Sequence, residues 1–280
     1  MFSKFLNILI GTILLLVSNT CKTTTNTSYS DLNIDTDFGT MCVKLYTDTP
    51  LHHENFLSLV KMHYFDGLLF HRVIPSFMIQ GGDPDSKNAP SGMLLGNVGP
   101  GYTIEAEIVP NHFHKRGVLS AARESDSSNP FRRSGASQFY IVTGRTYTDE
   151  ELDKIENYIQ QQTYQNLYLR WQEELKNQVK QSGQTPDVAL LSAISTDLAR
   201  NRMLHLPFFH FSPEQRSIYK TIGGAPHLDN LYTVFGEVVQ GIESADKMAS
   251  LERDKNDRPL HDVKMKISLV KQHKKHESTN

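Results

Sequence analysis

Phe70-His71-Arg72-Val73-Ile74-Pro75-Ser76-Phe77-Met78-Ile79-Gln80-Gly81-Gly82-Asp83 is the stretch on which the reading of this chain turns. It sets one arginine, Arg72, a few residues before an apolar pair, Phe77 and Met78, and an amide, Gln80, then turns away on two glycines. No acid, base, thiol or metal cluster is built into it. A fixed cation beside an apolar pocket suits a reaction in which no proton moves and no bond breaks. Phe77 and Met78 are adjacent on a predicted strand, so their side chains leave opposite faces. Both can serve one pocket only where the strand bends or bulges.

Outward from this stretch the chain reads as many short strands. Leu32-Asn-Ile-Asp-Thr-Asp and Met41-Cys-Val-Lys-Leu-Tyr46 alternate around Asp37-Phe38-Gly39, the pattern of a β-hairpin. Thr49-Pro50 opens a helix, with Thr49 as the expected cap, Pro50 at its first position, and Phe56, Leu57, Leu59, Val60 and Met62 as its buried stripe. Further strands are predicted at 68–73, 77–81, 117–122, 138–143, 233–239 and 263–269, and a helix at 242–251. Short strands between Gly, Pro and Asn turns point to a closed barrel or sandwich.

The texture changes between Arg145 and Gly223. Thr148-Asp-Glu-Glu151 is a capping box, followed by Leu152, Ile155, Ile159, Leu167, Trp171, Leu175 and Val179 at helical spacing up to Gly183. Thr185-Pro-Asp187 starts a second helix carrying Val188, Leu191, Ile194 and Leu198, and Ser212-Pro-Glu-Gln215 starts a short third. The segment 146–222 is therefore expected as an all-helical insertion whose amphipathic faces must be buried against something. Pro207-Phe-Phe-His-Phe211 is expected to glue it to the barrel.

Twenty-nine basic residues against 31 acidic, in 280, give no field that would gather nucleic acid. His52-His53, His112-Phe-His114 and His71 lack zinc spacing, so no metal is expected. Residues 1–20, with Lys4 ahead of the apolar run Phe5–Val17, read as an export signal too short to span a membrane. Cys21 then opens a polar tether, 21–31, resembling a bacterial lipoprotein signal in which that cysteine is acylated. Such a chain is exported to the cell envelope and meets the membrane only through its lipid. Cys42 is expected as a buried small hydrophobe; a Cys21–Cys42 disulfide is possible in an oxidising compartment but is not the favoured reading. Residues 273–280 form a polar tail.

The opening motif, Gly117-Val-Leu-Ser-Ala-Ala-Arg123 with Ser134-Gly-Ala-Ser-Gln-Phe-Tyr-Ile-Val-Thr143, and His227-Leu-Asp-Asn-Leu-Tyr-Thr-Val-Phe-Gly-Glu-Val-Val239 together resemble the cyclophilin-type peptidyl-prolyl isomerases. The resemblance implies a mainly β fold, an eight-stranded antiparallel barrel capped by two helices. It occupies 32–145 and 223–272 and leaves 146–222 as the insertion. It implies a groove on the barrel's outer surface carrying Arg72 as the catalytic cation, with Phe77, Met78, Gln80, Ala122, Arg123, Gln138, Tyr140, Leu228 and Tyr232. No cofactor is implied, and the partners are proline-containing polypeptides, unfolded or newly exported.

His227, also placed at the groove, stands where many relatives carry tryptophan; Tyr232 stands where eukaryotic members often carry histidine. These two changes bear on cyclosporin affinity rather than turnover. Ser76 replaces a frequent glycine. Arg123 replaces a common asparagine and is expected to add positive charge at the rim, favouring acidic peptides. The rival to an isomerase is a non-catalytic chaperone or binding module using the groove or the insertion. A hydrolase built on Ser120, His71 and Asp83 lacks a nucleophile elbow.

Overall fold

The structure, a computed structural model, describes residues 31–270. The expected signal peptide, Cys21, nearly all of the tether and the polar tail lie outside the described residues. The strands are β1 (Leu32–Thr36), β2 (Gly39–Leu45), β3 (Arg72–Ile74), β4 (Met78–Gly81), β5 (Thr103–Ile104), β6 (Val118–Ala121), β7 (Ser134–Gly135), β8 (Phe139–Val142), β9 (Val234–Gln240) and β10 (Lys266–Leu269). The helices are α1 (Pro50–Lys61), α2 (Asp149–Gln181), α3 (Val188–Leu204), α4 (Pro213–Thr221) and α5 (Ile242–Ala249).

Eight strands form one antiparallel sheet in the order β10-β1-β2-β9-β6-β8-β4-β3, and β5 pairs with β7 apart from it. The sheet curls until its outer ends meet. Gly67 N donates to Met265 O (2.9 Å), Met265 N to Leu68 O (2.8 Å) and Phe70 N to Val263 O (2.9 Å). The strands predicted over 68–73 and 263–269 are thus each split. Their first halves pair with each other and close the barrel, while their second halves, β3 and β10, pair with β4 and β1.

Strict alternation sorts side chains between two cores. Val73, Ile79, Leu119, Ala121, Phe139 and Ile141 point inward and join Leu32, Ile34, Phe56 and Phe65 in the barrel's filling. Their neighbours Met78, Val118, Tyr140 and Val142 point outward into a second, smaller cluster with Ala225 and Val234. The barrel interior is therefore occupied, and any ligand cavity must lie on the outer face.

Helix α1 corrects two expectations. Thr49 makes no side-chain cap; its hydroxyl turns to Tyr46 O. The Glu107 carboxylate, from a distant loop, caps instead, accepting from Leu51 N (3.0 Å) and His52 N (2.9 Å). The buried stripe is His52, Phe56, Leu59 and Val60, with Met62 63 % exposed past the helix end. Cys42 is buried on β2 and is disulfide-bonded, contrary to the favoured reading.

The helical segment leaves and rejoins the barrel at one point. Arg145 N donates to Gly224 O (3.3 Å) and Gly224 N to Arg145 O (2.9 Å). A Cβ built on Gly144, which sits at φ 61°, would lie 2.5 Å from Gly224 Cα. The two backbones touch because neither carries a side chain there. The expected capping box forms at Thr148 with Glu151, and the start signal at Ser212 proves to be a second one, closed by Gln215. The predicted α3 stripe holds at Leu191 but not at Val188 or Ile194. Leu191, Ser195 and Ala199 are buried, while Val188 and Ile194 face outward. Phe211, with Phe209 beside it, packs on Leu152, Ile159 and Tyr219 and reaches Phe113 of the barrel side, whereas Phe208 is exposed. Helix α2 rests on the loop after β6: Asn166 Nδ2 donates to Pro130 O (2.8 Å), and Arg132 ties Asn230 O (2.9 Å) to that loop.

Candidate active site

One cross-strand row builds the site. Arg72 on β3 pairs with Gln80 on β4, Gln80 with Tyr140 on β8, and Tyr140 with Ser120 on β6. Antiparallel partners share a face, so the four side chains stand side by side on the outer wall, at about 4.8 Å per strand. Met78 lies in the next row opposite Val142, with Ala122 just past the end of β6.

Phe77 reaches the same face by a route that strict alternation forbids. It is not in the strand, which begins at Met78. Ser76 takes a left-handed backbone (φ 58°), and Phe77 N donates to Ile74 O (3.2 Å), closing a tight turn. The ring therefore enters from the turn while Met78 enters from the strand. Leu228 arrives from the short 3-10 turn Pro226–Leu228, packed on the outer cluster.

These residues enclose a cavity of about 140 Å³ lined by Arg72, Phe77, Met78, Gln80, Ala122, Arg123, Tyr140, Leu228 and Tyr232. An apolar cavity of about 150 Å³ holds one benzene ring, so the space suits one small apolar ring. Two of the eleven expected residues do not line it. Gln138 lines the wider trough alongside, and the His227 imidazole packs behind Phe77, ring centres 5.3 Å apart. Burial depresses the His227 imidazole to about 4, holding it neutral.

Arg72 is held from two sides. Its Nη1 donates to Gln80 Oε1 (3.4 Å), and its Nε stands 3.5 Å from Asp257 Oδ2. Gln80 Nε2 donates to Gln138 Oε1 (3.0 Å), and Gln138 Nε2 donates to Gly96 O (3.0 Å) and Val98 O (2.8 Å). That loop is moored in turn by the buried Asp83 carboxylate, which accepts from Gly96 N (2.5 Å). The arginine's aim is thus fixed by a relay of amides ending on main chain. Asp257 was missed from sequence, because nothing marks it; it reaches Arg72 only through the pairing of Val73 N with Asp257 O (2.9 Å).

Arg123 contradicts its expectation. Its side chain is 4 % exposed, paired with Asp126 (2.7 Å), bonded through Nε to Leu231 O (2.9 Å) and laid over the Tyr232 ring at 4.3 Å. A buried, neutralised guanidinium adds no positive field at the rim. It braces Tyr232 as a cavity wall by cation–π contact.

Behind the cavity floor runs a buried polar chain that sequence reading also missed. Tyr140 Oη lies 2.9 Å from Ser120 Oγ and 3.0 Å from His114 Nε2. His114 Nδ1 lies 2.8 Å from Asp229 Oδ1, which also accepts from His114 N (2.7 Å), and Tyr219 of α4 donates to Asp229 Oδ2 (2.6 Å). Burial pushes the Tyr140 phenol well above its ordinary range, so it stays protonated. Ser120 is fully buried and engages Thr233 O (2.8 Å), which removes it as a hydrolase nucleophile. Among the described residues, no group of three or more His, Cys, Asp or Glu is placed to hold a metal ion.

Comparison with known proteins bears on the family and the fold. The sequence model of the family "Cyclophilin type peptidyl-prolyl cis-trans isomerase/CLD" matches residues 31–164 and 213–269. A protein of Staphylococcus haemolyticus named as a peptidyl-prolyl cis-trans isomerase is 27 % identical over 229 residues, covering 81 % of this chain and 84 % of its own. A Streptococcus pyogenes protein named as a bifunctional phosphatase/peptidyl-prolyl cis-trans isomerase is 28 % identical over 235 residues. It is much longer, and this chain spans 37 % of its length. Among solved structures, a Cryptosporidium parvum cyclophilin-type isomerase superposes with a TM-score of 0.51 at 18 % identity, covering 88 % of this chain and 100 % of its own. A second structure of that protein, obtained in the presence of the dipeptide Ala-Pro, gives 0.50 at 19 %, covering 86 % and 99 %.

Proposed function

The chain belongs to the cyclophilin-type peptidyl-prolyl cis-trans isomerase family, and on that footing we propose that its Arg72 cavity accelerates X–Pro rotation in unfolded or newly exported polypeptides. The observation that carries the reading is a guanidinium held by Gln80 and Asp257 at the edge of a ring-sized apolar cavity. Rotation about a peptide bond must break amide resonance, at a barrier of about 18–20 kcal/mol. At the twisted midpoint the prolyl nitrogen becomes pyramidal and its lone pair localises. A donor aimed at that twisted state binds it better than either planar isomer and lowers the barrier by the difference. Phe77, Met78, Leu228 and Tyr140 hold the pyrrolidine ring still while the acyl side turns. No proton is transferred and no cofactor takes part.

Arg72→Ala tests this in a proline-tetrapeptide assay. Loss of one pre-aimed donor is expected to lower kcat/KM about a hundred- to a thousandfold. Wild-type protein no faster than buffer, or a variant equal to wild type, would reject the proposal.

The proposal extends to location: the chain is exported to a bacterial envelope and tethered through an acylated Cys21. What supports it is the Lys4 and Phe5–Val17 pattern ahead of that cysteine. The intact mass of the mature protein decides. Acyl chains on the N-terminal residue are expected; an unmodified terminus refutes the tether.

A further inference from the structure

Three hollows run on from one another along one side of the barrel. The ring cavity at Arg72 shares Gln80, Ala122 and Arg123 with a trough of about 800 Å³ that passes Gln138 and reaches Ser128, Asn129 and Arg133. Those last three residues also line a third hollow, of about 860 Å³, which ends against Leu169 of α2 and Val188 and Leu191 of α3. The path from the arginine to the helical insertion is unbroken.

The third hollow carries exposed apolar side chains among polar ones. Phe131 is 42 % and Val188 72 % exposed, and both border it beside Ser127, Ser128 and Asn177. Its charged neighbours are already engaged: Lys176 with Glu173 at 3.2 Å, and Arg133 with Glu105 at 3.3 Å. The patch formed by Phe131, Leu169, Val188 and Leu191 suits an uncharged apolar side chain. A polypeptide lying in the trough is delivered to it without a separate encounter, because the linked second contact is intramolecular.

We propose that the insertion lengthens the substrate groove. The hollow between loop 127–133 and helices α2 and α3 takes an apolar side chain of the same polypeptide whose X–Pro bond lies at Arg72. This rests on the isomerase reading and names its substrate class: extended chains with a large apolar residue set apart from the proline.

The test uses peptides of about twelve residues, roughly 40 Å when extended, with one Ala-Pro and a single leucine moved stepwise along either side. A tetrapeptide too short to leave the trough is the reference. One leucine position is expected to raise the long-to-short ratio of kcat/KM roughly three- to tenfold, through KM. Phe131→Ala and Val188→Ser, both at exposed positions, should each lower that ratio. Fluorescence anisotropy of the labelled long peptides follows the same contact without turnover, so an inactive wild type would fail the isomerase reading while the groove is still measured. A ratio and an affinity indifferent to leucine position and to both variants overturn the inference. So does a concentration-dependent dimer that both variants abolish, which would assign the hollow to a second copy of the chain.

Discussion

Tyr219→Phe removes a single oxygen from the insertion and is expected to destabilise the whole molecule. The hydroxyl is buried and donates to Asp229 Oδ2 at 2.6 Å, and Asp229 is 3 % exposed. The other carboxylate oxygen accepts two bonds from His114, which in turn meets Tyr140 at the cavity floor. A hydrogen bond to a charged group is worth about 1.5–3 kcal/mol, and leaving the charge short of a donor in a buried site adds to the loss. The ring itself stays, so no cavity larger than the oxygen opens.

The sum is a loss of roughly 2–4 kcal/mol. With a urea m-value of about 2 kcal/mol/M, the midpoint should fall by roughly 1–2 M at unchanged slope. Asp229→Asn in both backgrounds completes the cycle, and the coupling between the two positions is expected at about 1–3 kcal/mol. A Tyr219→Phe protein within about 0.5 kcal/mol of wild type, or additive double-mutant losses, would refute the view that this chain of bonds joins insertion to barrel.

Acid should unfold the protein before it slows catalysis. Burial depresses both His71 and His227 to about 4, below the ordinary histidine value. Their contribution to stability is complete above about pH 6.5, where the unfolded histidines are neutral too, and is lost as pH falls toward 4. For His71, 3 % exposed, this amounts to on the order of 3 kcal/mol. Urea midpoints against pH check it, and His71→Gln should flatten the slope. With the imidazole behind Phe77 neutral throughout, kcat/KM should stay flat from about pH 5.5 to 8; a histidine-like inflection there would contradict the proton-free mechanism. Glu107→Ala uncaps α1 and should cost about 1–2 kcal/mol, read as a lower thermal midpoint, whereas Thr49→Val, at a residue that makes no cap, should not lower it through the helix end. Gly82→Ala would put a Cβ 2.1 Å from Ser137 O at φ 94°, so soluble expression should collapse or urea stability drop by more than about 2 kcal/mol.

What the linear order of residues discloses here is the pairing pattern. Alternation places Arg72, Gln80, Tyr140 and Ser120 on one face because each sits one residue from an inward neighbour, and that spacing is visible before any coordinates. Capping boxes at Thr148 and Ser212 are equally legible, since donor and acceptor lie three residues apart. The failures share one cause: partners far away in the chain. Thr49 has the right local chemistry for a cap but loses its place to Glu107, and Arg123 looks like a rim charge until the distant Leu231 O turns it inward, where the nearby Asp126 pairs with it. Asp257 and Tyr219 carry no local mark at all. Phe77 differs again, because one left-handed residue, Ser76, resets the alternation on which strand reading depends.

The stitched stem at Arg145 and Gly224 has a further consequence. Because the chain departs and comes back through adjacent backbone, the barrel's circumference does not depend on what hangs between those residues. A helical cassette can be exchanged there much as an attachment is changed on a fixed tool. Tyr219 is the bolt that passes from the attachment to the back of the catalytic wall, beside the lesser fastenings of Asn166 and Phe211. A transplanted module that supplied a phenol at that place would redirect which chains are gripped while the catalytic wall stayed as it is.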